Sequence, residues 1–175
     1  MHVSREALKR LGLDEIWWLV APQNPLKPTA GMGKLSARMA SAKDVAKHDR
    51  RISVLDLETR LGTHFTADTL AALQTRWPGI QFVWLMGADN LAQIRHWKDW
   101  QAIFARVPIA VFARPTYCQK ALAGLAAQHF SRARVIQETQ RFSEIEPPAW
   151  IFLPVKLDFH SATAIRAPKG AALKR

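Results

Sequence analysis

Apolar residues along the chain alternate between two rhythms. Residues 2–12 set Val3, Ala7, Leu8 and Leu11 at helical spacing, with Gly12 where a helix C-cap belongs. Residues 16–21 are a short continuous apolar run, which predicts a strand buried on both faces, stopped by Pro22 and Pro25. A loop rich in Pro and Gly covers residues 22–34, and helical spacing returns through Leu35, Met39, Ala42 and Val45 over residues 35–47. Residues 52–57 predict a strand, Gly62-Thr63 a turn, and Thr66 the N-cap of a helix with Leu70, Leu73 and Trp77 on one face. Pro78-Gly79 closes that helix. A strand at residues 82–86 runs directly into Gly87-Ala88-Asp89-Asn90 and a short helix, and a further helical stretch covers residues 97–106. Next come a strand at 109–112, the turn Arg114-Pro115-Thr116-Tyr117 and an Ala/Leu helix over 119–129. Residues 131–148 are polar and read as irregular; a last strand covers 150–153, a closing helix 161–167, and a frayed end 168–175.

Strands that alternate with helices predict an α/β fold with a doubly wound, mostly parallel sheet, in one domain over residues 1–175. Such sheets bind ligands at the carboxyl ends of their strands. Chemistry is therefore expected at residues 22–27, 87–89, 114–117 and 160–166. The chain opens on a helix, whereas the first helix of a doubly wound unit normally crosses over from a strand in the middle of the sheet.

Composition narrows the choice. With 49% hydrophobic and 22% charged residues, neither a disordered chain nor a coiled coil is expected. No apolar run is long enough to span a bilayer, and nothing of signal-peptide type opens the sequence, so the expected compartment is the cytoplasm. The one cysteine, Cys118, cannot form an internal disulfide, and no Cys/His set has zinc spacing, so no protein-held metal is expected. Lys and Arg total 25 against 14 Asp and Glu, a net charge of +11 that draws in anions. The anions could be nucleic acid, an acidic membrane surface or a phosphorylated small molecule, or the charge could be a plain solvated surface; the dispersed basic residues argue against a nucleic-acid tail, and the partners expected once the motifs below are added are small molecules, with no nucleic acid and no membrane. Oligomeric state is not readable.

Three constellations could carry chemistry. Gly87 and Asp89 follow a strand: glycine permits close backbone approach and the carboxylate can accept from ribose hydroxyls, although a plain turn and helix cap has the same spelling. Trp97, beside His96, can stack on an aromatic ring or belong to the core. In His160-Ser161-Ala162-Thr163-Ala164-Ile165-Arg166, two hydroxyls and a guanidinium at a helix start suit phosphate oxygens or form an ordinary cap with a surface arginine. Walker A, G-x-G-x-x-G and G-x-S-x-G motifs are absent, which disfavours P-loop NTPases, classical dehydrogenases and α/β-hydrolases. Cys118 has no basic neighbour in sequence that would make it a nucleophile, and His2, His48, His64 and His129 read as surface or core residues.

In order, Pro22-Gln23-Asn24-Pro25-Leu26-Lys27, Phe65-Thr66-Ala67-Asp68-Thr69-Leu70, Met86-Gly87-Ala88-Asp89, His96-Trp97, Arg114-Pro115 and Ser161-Ala162-Thr163-Ala164-Ile165-Arg166 resemble the bacterial nicotinate-nucleotide adenylyltransferase family of nucleotidyltransferases. The resemblance runs from about His2 to Arg166. It implies a Rossmann-like nucleotidyltransferase fold and transfer of AMP from ATP, with Mg²⁺, to nicotinate mononucleotide. It further implies that Gly87, Asp89, Ser161, Thr163 and Arg166 bind ATP, while Asn24, Lys27, Thr66, Thr69 and Trp97 bind the mononucleotide.

One departure matters. The family carries a strand, a Gly-rich turn and a His-x-Gly-His motif ahead of the opening helix, and those histidines contact the ATP phosphates. Here Met1-His2 stands just past that point, so no catalytic residue can be assigned and the first central strand is missing. The expectation is a natural protein about twenty residues longer, one strand plus its turn. The 175-residue chain alone is expected to be poorly stable and nearly inactive. Other readings are an adenylyltransferase for a different acceptor (nicotinamide mononucleotide or phosphopantetheine) or an inactive basic binding domain. An inactive remnant would leave Trp17, Trp18 or Trp100 exposed beside the missing strand.

Overall fold

The computed structural model describes residues 1–22 and 33–155. The element order is α1 (His2–Leu11), β1 (Ile16–Leu19), α2 (Leu35–Ala46), β2 (Ile52–Leu55), α3 (Leu57–Leu61), α4 (Thr66–Arg76), β3 (Trp84–Gly87), α5 (Ala88–Gln93), α6 (Trp100–Arg106), β4 (Ile109–Phe112), α7 (Cys118–Leu122), α8 (Leu125–His129), β5 (Arg134–Val135) and β6 (Trp150–Leu153). All strand pairings are parallel, as expected, but they form two sheets rather than one. One is β1-β2; the other runs β3-β4-β6-β5.

The burial pattern joins the two sheets. Trp17, Leu19 and Leu55 pack with Trp84, Met86, Ile109, Val111, Trp150 and Phe152 in one core, beneath α4, α5 and α6. Ile16, Trp18, Ile52 and Val54 pack with Val83, Leu85, Ala110, Phe112, Ile151 and Leu153 in the other, against Ala7, Leu8 and Leu11 of α1. Alternate residues of every strand thus divide between the same two cores, as they would in one sheet covered on both faces.

Several elements depart from expectation for identifiable reasons. Trp17, Trp18 and Leu19 are only half-buried, because among the described residues β1 pairs with β2 alone, so a fully buried strand was the wrong expectation. Trp100, by contrast, is buried against Phe104, His129 and Phe130, with ring centroids 5.5–6.2 Å away, and is no exposed remnant. The third strand starts at Trp84 because its first ladder bond is Trp84 N–H to the Pro108 carbonyl at 2.9 Å. Trp97 is extended and Asp99 is left-handed (φ 48°), so the following helix begins only at Trp100. The Ala/Leu helix breaks where Gly124 turns extended (φ −74°, ψ 160°). The polar stretch 131–148 contains β5, which pairs along β6. The last turn of α1 is clamped: Arg10 reaches Glu138 and the Pro154 carbonyl, and Gln140 Nε2 donates to Lys9 O at 2.7 Å. Gly12, left-handed at φ 63°, lies so close to the Gln140 carbonyl that no Cβ fits.

Candidate active site

The parallel register sets Gly87 beside Phe112, so the carboxyl ends of β3 and β4 lie at one edge of the sheet. Two residues past Phe112, Arg114 Nε stands 3.2 Å from Asp89 Oδ1, in the first turn of α5. The pair is accessible, the side chains being 57% and 27% exposed. Gly87 fills the corner between them. A Cβ there would collide with Asp89 Oδ1 and stand 2.8 Å from Arg114 Nε. At φ −84° its backbone suits any residue, so the requirement for glycine is one of space, not of backbone freedom. The Cys118 thiol donates to the Arg114 carbonyl at 3.2 Å and steadies the turn that carries the guanidinium.

The second part of the site follows α5. Ile94–His96 make one 3-10 turn, and Trp97, half-buried, packs its inner side on the core. Its neighbour Lys98 spans to the start of α4: Nζ lies 3.1 Å from Asp68 Oδ2 and 5.0 Å from the centre of the Phe65 ring. Lys98, next to Trp97 in the chain, thereby ties the turn after α5 to the start of α4. Glu58, on α3, is half-buried, and that burial raises its carboxyl pKa, opposed by the charge of His64.

Comparison with known proteins gives the family. The cytidylyltransferase-like family model matches residues 1–167. A "Probable nicotinate-nucleotide adenylyltransferase" of Cereibacter sphaeroides is 50% identical over 167 residues, 95% of this chain and 88% of that protein. A protein of the same description from Roseobacter denitrificans is 48% identical, over 97% of this chain and 84% of its own. The chain belongs to the nicotinate-nucleotide adenylyltransferase family. Among solved structures, the Plasmodium falciparum nicotinic acid mononucleotide adenylyltransferase complexed with NaAD superposes with a TM-score of 0.64, covering 90% of this chain and 68% of that one. At 15% identity it speaks for the fold.

Of the site residues expected from this family, Gly87 and Asp89 share one corner, Thr66 and Thr69 lie in the first turn of α4, and Trp97 follows the 3-10 turn after α5. Thr66 is the first residue of α4; Phe65 is the N-cap, because its extended backbone presents the carbonyl that receives the Thr69 N–H at 2.9 Å. Thr69 is buried, its hydroxyl 3.1 Å from that carbonyl and 2.8 Å from the Thr63 hydroxyl, so it braces the helix start. Asn24, Lys27, Ser161, Thr163 and Arg166 lie outside the described residues.

Two contributors escaped the sequence reading. Arg114 fell in a strand-end turn where chemistry was expected but was given no role, and its link to Asp89 requires knowing that β3 and β4 are neighbours. Lys98 carried no signal beyond adjacency to Trp97.

Proposed function

We propose that the chain transfers the adenylyl group of ATP to nicotinate mononucleotide, releasing pyrophosphate and forming deamido-NAD. The observation that carries this reading is the Gly87, Asp89 and Arg114 corner, joined by one short helix to an aromatic platform at Trp97. Asp89 accepts from ribose hydroxyls, Gly87 leaves room for the sugar, and Arg114 turns its guanidinium toward phosphate oxygens. Trp97 stacks on the pyridine ring, and Thr66 offers its hydroxyl and backbone N–H to the ring's carboxylate. Thr69 acts indirectly, through the shape of that turn. Ser161, Thr163 and Arg166 are assigned to the ATP phosphates, and Asn24 and Lys27 to the mononucleotide.

The chemistry needs no protein nucleophile. A phosphate oxygen of the mononucleotide attacks the α-phosphorus of ATP in line; one P–O bond forms as the bond to pyrophosphate breaks. Catalysis then rests on holding two polyanions together and offsetting their charge, for which a net charge of +11 is suited. Mg²⁺ enters with ATP as part of the substrate. Among the described residues no three His, Cys, Asp or Glu side chains gather as a metal cage, and a cation held by phosphates and water needs none. Among the described residues no helix is long and apolar enough to cross a membrane, and we place the reaction in the cytoplasm.

Two measurements test the reading. Nicotinate mononucleotide should quench tryptophan fluorescence through Trp97, and ATP should raise the melting temperature; nicotinamide mononucleotide and phosphopantetheine should bind more weakly. Tighter binding of either rival acceptor, or none of the mononucleotide, would overturn it.

A further inference from the structure

The room that Gly87 leaves is already taken. A Cβ on that residue would collide with Asp89 Oδ1 and would lie 2.8 Å from Arg114 Nε and 3.4 Å from Arg114 Cδ. The arginine therefore lies across the glycine, and a sugar can enter the corner only once that side chain moves. Its hold on the carboxylate is electrostatic. Nε stands 3.2 Å from Asp89 Oδ1, yet that oxygen is covered and receives no hydrogen bond among the described residues. Its capacity to accept from a donor is unspent.

The side chain of Arg114 is free to leave, whereas its backbone is fixed. Just before it, Ala113 N–H donates to the Leu153 carbonyl at 3.0 Å. The Arg114 carbonyl itself receives the Tyr117 N–H and the Cys118 thiol, both at 3.2 Å. Between them Thr116 is left-handed at φ 67°, which a β-branched residue adopts only where its surroundings impose it. On this pinned turn the arginine side chain is 57% exposed, so it can change rotamer without disturbing the strand end.

We propose that Arg114 guards the ribose corner: it covers Asp89 until the phosphates of a nucleotide draw its guanidinium away, so the corner favours nucleoside phosphates over the bare nucleoside. This rests on the assignment of Asp89 to the ribose. An ion pair between partly exposed groups holds weakly, worth at most about fivefold in an equilibrium. Phosphate oxygens, which offer the guanidinium two parallel charged hydrogen bonds, outcompete a contact that lacks even one. A neutral nucleoside offers the guanidinium nothing, and its affinity is lowered by the fraction of molecules in which the corner is covered. The same nucleotide thus removes the guard with one end and fills the uncovered acceptor with its sugar.

Calorimetric titration of adenosine and of ATP into the protein and its Arg114→Gln, Arg114→Lys and Asp89→Ala variants tests this. R114Q should bind adenosine about two- to fivefold more tightly than the unaltered protein and ATP about tenfold or more weakly. R114K, which keeps the charge, should return adenosine toward its original affinity. In the unaltered protein, adenosine should bind more tightly as salt rises from about 0.02 to 0.5 M, because screening loosens the pair, while ATP weakens. That rise for adenosine should vanish in R114Q. An arginine that only supports the fold would move both ligands in one direction and give no such trend, and the salt series requires no variant to fold. Adenosine no tighter in R114Q, including no measurable binding in either form, would overturn the proposal, as would unchanged ATP affinity in R114Q or adenosine affinity that is flat with salt. D89A separates the two levels of failure. If it weakens ATP while the Arg114 results fail, the ribose assignment stands and the guard falls; if it leaves ATP and adenosine unchanged, both fall.

Discussion

Replacing Gly87 by Ala should separate ligand binding from stability. The added Cβ collides with Asp89 Oδ1 and sits 2.8 Å from Arg114 Nε, so both side chains must move. Neither is locked in the core, and the backbone at φ −84°, ψ 159° is ordinary for alanine. What folding loses is an ion pair at 3.2 Å between partly exposed groups, about 0–1 kcal/mol. Reduced freedom of the unfolded chain returns about 0.4–1 kcal/mol, so the melting temperature should stay within roughly 4 °C. What ATP loses is larger. If Asp89 holds the ribose as proposed, displacing it forfeits a charged hydrogen bond of about 1.5–3 kcal/mol, or roughly a 10- to 150-fold weaker affinity. Calorimetric titration with ATP reads the affinity and scanning calorimetry the stability. Asp89→Ala should weaken ATP to a similar degree, and G87A on top of it should add little, because both changes remove one interaction. Full ATP affinity in G87A, or a large fall in melting temperature with affinity intact, would refute the reasoning and make the glycine a plain turn residue.

Three further outcomes follow from single contacts. Trp97→Ala should weaken nicotinate mononucleotide roughly tenfold and leave ATP affinity unchanged, with Trp97→Phe in between, as read by titration. Gly12→Ala should be the most destabilising of these changes, about 3 kcal/mol or more in a denaturation curve, because alanine pays for the left-handed backbone and its Cβ meets the Gln140 carbonyl. Burial raises the Glu58 pKa in the folded state, so its contribution to stability is greatest below the unfolded value near 4.5 and declines as pH rises through the folded value. Glu58→Gln should therefore raise the melting temperature at pH 7 and change it little at pH 4.

Elements bounded by chemistry were legible in the sequence; elements bounded by neighbours were not. The helix closed by Gly12 and the strand Ile109–Phe112 followed from local pattern alone, because an apolar stripe and a left-handed cap need no information about the rest of the chain. β5 is two residues long and exists because β6 has an edge to share, which no periodicity announces. α3 escaped for a similar reason: five residues between a strand and Gly62 are too few to display a helical period. The half-buried state of Trp17 and Trp18 is the clearest case. A run of six apolar residues is the pattern of a strand with neighbours on both sides, whereas among the described residues β1 pairs with β2 alone.

The site divides along the same line. Gly87 and Asp89 could be picked out as candidates because a small residue and a carboxylate directly after a strand are meaningful wherever that strand lies in the sheet. Arg114 follows another strand and becomes part of the site only through the order β3-β4 and the register Gly87↔Phe112. Lys98 depends on the start of α4 folding back to meet it, thirty residues away in the chain. Given the sheet order, however, both could have been derived. A cation two residues beyond β4 must lie near an anion two residues beyond β3, because parallel neighbours in register end at the same edge. Strand order is thus the quantity that turns a string of strand-end residues into a binding site.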